Sequence, residues 1–186
     1  MTDRLELAAR YIIDEIGEDV EREGLVRTPS RFAKAWREIT SGYDRTVSQI
    51  VGDGVFSAES DDVVIVSHMK FFSTCEHHLL PFFGECSVAY LPGSKIIGLS
   101  KIPKLLQMYA QRLQVQERLT REIGEAVEQV IAPRGVAVLV KATHLCSVMR
   151  DIQDHDAPMI SAYTSGLYRE EPERMEFFRR TVGYGN

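Results

Sequence analysis

Residues 63–66 (VVIV), 70–73 (KFFS), 82–91 (FFGECSVAYL) and 135–146 (GVAVLVKATHLC) decide the fold class. Each is a β-branched or aromatic run without helical period, which predicts a strand. The flanking segments follow the other period. Ser100 stands where it can cap a helix carrying Leu105, Leu106, Met108 and Tyr109. Leu119, Ile123, Val127, Val130 and Ile131 mark a longer helix that Pro133-Arg134-Gly135 stops. Further out, Leu5, Ala8, Ala9, Ile12, Ile13 and Ile16 recur at helical spacing, a stripe to be buried within the chain or against a neighbouring subunit. Thr28-Pro29 predicts an N-cap followed by Pro at the first helical position, with Phe32, Ala33, Trp36 and Ile39 continuing a helix that Gly42 ends. Residues 43–62 mix Gly, Ser and Asp without period and are expected to be loop. Beyond residue 146, an irregular polar stretch leads to a short helix opened by Pro172 and containing Met175 and Phe178. The expectation is one α+β domain over residues 1–186 with an antiparallel sheet, its N-terminal helices in 1–42 and its sheet-bearing core in 63–186.

Composition excludes several classes. The chain has 186 residues, 44% hydrophobic and 26% charged, well away from the composition of disordered proteins. The net charge is −5, which argues against general nucleic-acid binding, because that draws its affinity from phosphate neutralisation. An anionic ligand therefore needs a local basic pocket. No apolar run reaches the ~18 residues that span a bilayer, and MTDRLELAAR has neither the basic start nor the apolar core of a signal segment. No membrane association and a cytoplasmic location are expected. The three cysteines are too few for a disulfide framework and point instead to metal binding, catalysis or packing.

Cys75-Glu76-His77-His78 puts a thiolate and an imidazole three residues apart, so one turn can present both to a single Zn²⁺. Taken alone, this motif is equally well explained by a packed cysteine with surface histidines. His144-Leu145-Cys146 changes the balance, since alternation along a strand points His144 and Cys146 to one side and supplies a second pair of ligand types. Cys75, His78 and Cys146 as ligands leave the fourth position open, the pattern of a catalytic zinc. Cys86 shares a strand face with Val88 and Tyr90 and is better explained as a small buried hydrophobe. His77 and His144 then remain as uncoordinated imidazoles suited to proton transfer.

Five blocks in this order, EGLVRTPSRFAKAW (23–36), STCEHHLLPFFG (73–84), GLSKI (98–102), QVQERLT (114–120) and THLCSVMR (143–150), resemble the GTP cyclohydrolase I family over roughly residues 5–150. The resemblance implies a T-fold, with helices on one face of an antiparallel sheet, assembled as a toroidal homodecamer with active sites at subunit interfaces. It implies zinc-dependent conversion of GTP to 7,8-dihydroneopterin triphosphate and formate, the first step of tetrahydrofolate and pterin biosynthesis. By the same motifs Cys75, His78 and Cys146 are the implied zinc ligands, and His77 and His144 the acid–base residues. Glu117 is implied to accept hydrogen bonds from the guanine N1–H and amino group. Ser100, Lys101, Lys104, Arg150, Arg31 and Lys34 are implied to hold the triphosphate. Four features depart from the family pattern: Lys104 for Arg, Leu113 for Pro, Asp151 for Gly, and 154–166 without the usual Thr/Ser-rich signature. Asp151 sets a negative charge beside Arg150, which is expected to weaken triphosphate binding or favour a less charged substrate. Two alternatives stand beside the main reading: a diverged homologue that opens the purine imidazole ring without forming a pterin, and a non-catalytic T-fold assembly protein.

Overall fold

The structure, a computed structural model, describes residues 3–150, 157–170, 172–174 and 176–177. Asp151, residues 154–156 of the atypical segment, and Met175 and Phe178 of the expected C-terminal helix lie outside the described residues. The chain divides into two compact units, Met1–Ser41 and Gly42–Asn186.

The first unit is a helix pair, α1 (Arg4–Glu15) and α2 (Thr28–Ile39). The Asp3 side chain accepts from the Leu5 N–H and caps α1. Of the expected apolar stripe, Ala9 and Ile13 are buried while Ile12 and Ile16 are exposed. Thr28 is not the N-cap of α2. The turn before it already donates the Thr28 N–H to the Leu25 carbonyl and the Arg31 N–H to the Arg27 carbonyl, so Arg27 takes the cap position and Thr28 lies inside the helix. The helix ends at Ile39, and the Thr40 hydroxyl donates to the Trp36 carbonyl. Gly42 is not its terminator; a Cβ there would stand 2.0 Å from the Met108 carbonyl, so glycine is required by close backbone approach.

The second unit contains α3 (Val47–Val51), β1 (Val55–Ser57), β2 (Val64–Cys75), β3 (Pro81–Leu91), β4 (Lys95–Ile97), α4 (Lys101–Ala110), β5 (Leu113–Gln114), α5 (Gln116–Ile131), β6 (Gly135–His144), α6 (Leu145–Val148) and β7 (Met159–Gly166). The stretch expected to be loop thus holds a helix and a strand. Thr46 and Gln49 form a capping box at α3, and β1 pairs with β4. The two expected strands at 63–66 and 70–73 are one strand. A bulge between Val66 and Met69 interrupts the pairing and puts His68 at φ 56°, which breaks the apolar alternation that the sequence presents.

The main sheet has the order β5-β2-β3-β6-β7 and is antiparallel except for the parallel pair β2/β5. β7 replaces part of the expected irregular stretch and pairs with β6 along its length. The sheet's two faces are covered differently. Val88, Tyr90, Val136, Val138 and Val140 pack with Leu105, Leu106, Leu119, Ile123 and Val127 from α4 and α5, while Ala89, Ala137 and Leu139 meet Tyr168 and Phe177 on the other face. Cover on both sides explains why β6 begins with six consecutive buried residues instead of an alternating pattern. Among the described residues no helix is long and apolar enough to cross a membrane.

Candidate functional site

The CEHH turn closes β2 onto β3. The Leu79 N–H donates to the Cys75 carbonyl at 2.9 Å, the Cys75 N–H donates to the Leu80 carbonyl at 2.8 Å, and Leu79 takes φ 57° to complete the reversal. Cys75 is buried, and the two imidazoles that follow it are exposed. The Cys75 Sγ lies 3.8 Å from His77 Nδ1 and 3.9 Å from His78 Nδ1.

A two-residue strand carries the next motif to this turn. Thr74 and Cys75 pair with Leu113 and Gln114 in parallel, and the Glu76 N–H donates to the Gln114 carbonyl at 3.0 Å. Arg118 locks the junction. Its guanidinium pairs with Glu76, donates to the Gln114 side-chain oxygen at 3.0 Å and reaches the Leu113 carbonyl at 2.9 Å. Arg118 holds the Glu76 carboxyl below its usual range, chiefly through that hydrogen bond. The first turn of α5, with Gln116 buried and Glu117 exposed, is thereby set beside the CEHH turn.

The sheet delivers the remaining groups through β6. Its register places His144 opposite Phe82, and the two rings stack at 4.6 Å with an interplanar angle of 1°. The strand ends there. Cys146 lies on the short helix α6, so strand alternation is not what brings it to the site; the turn from β6 into α6 does. Cys75, His78 and Cys146 each offer one donor atom, and those atoms lie within 4.8 Å of one another. Donors on one tetrahedral zinc stand about 3.5–3.8 Å apart, and two thiols with an imidazole are a set that zinc accepts while keeping a fourth position free. Cys86 is wholly buried in the core and outside this group, and burial pushes its thiol far up. Burial likewise raises the Cys146 thiol, with the neighbouring Cys75 adding to the effect. Burial lowers the His144 imidazole, opposed by the carboxylate of Glu117.

The other residues expected at the site divide into those near α4, those near α6 and those elsewhere. Ser100 is at the N-cap of α4 but makes no capping hydrogen bond. Lys101 packs its stem over Gly54, whose added Cβ would meet Lys101 Cε at 2.3 Å, while Lys104 is exposed one turn on. Arg150 follows α6 and donates to the Cys146 carbonyl at 2.7 Å. Arg31 and Lys34 are exposed on α2 in the N-terminal unit, where Lys34 pairs with Glu38 at 3.9 Å. Sequence reading assigned no role to Gln116, Arg118, Glu76 or Phe82. Gln116 carries a usable signal: it lies three, four and seven residues before Leu119, Thr120 and Ile123, so it is a polar residue on the apolar stripe of its helix.

Two buried thiols and an imidazole, Cys75, Cys146 and His78, form a group that could hold a metal ion, with His77 beside Cys75 and His144 on the strand that leads to Cys146. Comparison with known proteins goes further. Residues 5–182 match the sequence model of the family described as GTP cyclohydrolase I. The protein named GTP cyclohydrolase 1 of Deinococcus radiodurans is 48% identical over 96% of this chain and 83% of its own length. That of Methylococcus capsulatus is 47% identical over 96% and 97%. Among solved structures, the archaeosine synthase QueF-Like in its apo form has a TM-score of 0.47 and 22% identity over 58% of this chain and 97% of that one. The chain belongs to the GTP cyclohydrolase I family.

Proposed function

We propose that this chain converts GTP to 7,8-dihydroneopterin triphosphate and formate, with zinc held by Cys75, His78 and Cys146. The observation that carries the reading is the convergence of those three donors with His77, Gln116–Glu117 and His144 at the meeting of β2, β5, α5 and β6. When bound, zinc supplies a Lewis acid and an activated water at neutral pH.

The chain's own residues do the rest. Glu117 accepts two hydrogen bonds from the guanine N1–H and amino group, the match of one carboxylate to two adjacent donors. Ser100, Lys101, Lys104 and Arg150 bind the triphosphate, and Arg31 and Lys34 complete the pocket across a subunit interface. Concentrating cations at one place reconciles an anionic substrate with a net charge of −5. His144 and His77 protonate the purine nitrogen and the leaving groups as the imidazole ring opens and formate departs, and they move the protons of the later ribose rearrangement. The reading includes the T-fold, a toroidal homodecamer and a cytoplasmic location in pterin biosynthesis.

Purified protein given GTP and zinc is expected to release formate and to yield fluorescent neopterin after oxidation and dephosphorylation. Formate without neopterin would leave ring opening and deformylation without the ribose rearrangement. Absence of both formate and neopterin would overturn the reading.

A further inference from the structure

Gln116 is completely buried, yet every polar atom of its side chain is used. Its amide nitrogen stands 3.0 Å from the Val140 carbonyl of β6 and 3.1 Å from the Met159 carbonyl of β7, with the Ser161 hydroxyl at 3.1 Å. Carbonyl oxygens accept only, so the NH₂ group must face them and the amide oxygen must face the other way. In that direction lies His144, with Nε2 at 2.9 Å from Gln116 Oε1.

Neighbouring bonds hold the helix end in the same sense. The Thr120 hydroxyl donates to the Gln116 carbonyl at 2.7 Å. Its own oxygen is 2.6 Å from Ser161 Oγ, which must then be the donor of that pair. An amide oxygen is an acceptor, so His144 Nε2 has to carry a hydrogen. Phe82, stacked on the imidazole at 4.6 Å, fixes the plane of the ring. His144 Nδ1 has no hydrogen-bond partner among the described residues.

The geometry points to Gln116 as the positioning residue that fixes the neutral His144 ring in its Nε2–H tautomer, with Nδ1 left bare. The kinetic consequence of that positioning rests on the proposed role of His144 in the reaction. Anchoring Gln116 to β6 and β7 gives the imidazole a fixed tautomer before substrate arrives, the same service a second partner renders to any catalytic or ligating histidine.

The test is ¹⁵N NMR of the full-length protein with labelled histidine, metal-free and zinc-loaded, the His144 signals being identified by their loss in His144→Ala. In the wild type the neutral His144 ring is expected to show a protonated Nε2 and a bare Nδ1. A protonated Nδ1 there overturns the proposal without recourse to any variant of Gln116. Gln116→Met keeps the length of the side chain and removes the acceptor. It is expected to mix the two tautomers and to lower kcat by about 10–100-fold, with KM for GTP little changed. Wild-type kcat in Gln116→Met overturns the proposal, as does a loss confined to KM. Full turnover in His144→Ala would instead strike the catalytic reading of His144, and the tautomer measurement distinguishes that failure because it needs no turnover.

Discussion

Replacing Phe82 by leucine tests whether packing and proton chemistry share one side chain. Phe82 is fully buried, stacked on His144 at 4.6 Å and set edge-on to Phe71 at 5.8 Å and 77°. Leucine removes both ring contacts, each worth about 0.5–1.5 kcal/mol beyond area burial. It leaves roughly 25 Å³ unfilled, which at about 24 cal/mol per Å³ adds about 0.6 kcal/mol. The expected cost is about 2–3 kcal/mol, read by urea unfolding with the metal-free protein. Phe72→Leu is the control. Phe72 is 74% exposed and stacks on Phe83 at 5.6 Å, so its loss is expected to cost about 0.5 kcal/mol, the low end for an exposed ring pair. The activity of Phe82→Leu should fall between about ten- and a hundredfold in kcat, because a misaligned proton donor loses its geometry even when it stays in place. Equal costs for the two variants would refute the packing estimate. Wild-type kcat in a destabilised Phe82→Leu would show that the stacked ring does not hold the imidazole in a reactive pose.

Other expectations concern the metal, the basic pocket and acid stability. Cys75→Ser, His78→Ala and Cys146→Ser are each expected to lose zinc by elemental analysis, while Cys86→Ser keeps it, since only the first three share a donor cluster. Zinc retained in Cys146→Ser and lost in Cys86→Ser would reverse the assignment. Gly54→Ala drives a methyl into the Lys101 stem, and it should raise KM for GTP several-fold with kcat largely preserved; unchanged KM would detach Lys101 from the triphosphate. Lys70, and secondarily His68, hold the Glu85 carboxyl below the usual glutamate range. A depressed folded-state value means that this contribution to stability is complete above the unfolded value and is lost as pH falls through the folded one. Lys70→Met should therefore be slightly less stable than the wild type at neutral pH, where the contribution is complete, and converge with it as pH falls below the usual glutamate range; an unaltered acid limb would show that the pair contributes nothing.

Much of the α+β class was legible from residue order. The strands read at 82–91 and 135–146, the second of which ends at His144 in the structure, and the helices after Ser100 and through Ile131 announce themselves because their side chains bury on sheet faces and helix stripes with fixed periods. The CEHH and HLC motifs named the donor residues, since ligand chemistry is a property of residue type. What periodicity misread was local and had local causes. A bulge at His68 made one strand look like two, and a capping box at Thr46 was hidden in a stretch rich in turn residues.

Other features belong to the tertiary structure alone. Cys146 reaches Cys75 because β6 ends at His144 and turns into α6, not because strand alternation continues. The parallel pairing of residues 113–114 with the end of β2 joins two motifs some forty residues apart in sequence, and no sequence period encodes such a long-range contact. The direction of the Gln116 amide, and with it the tautomer of His144, depends on carbonyls from two different strands. Sequence by itself determines which groups can ligate a metal or move a proton; hydrogen bonds between distant elements determine which atom of each group faces which partner.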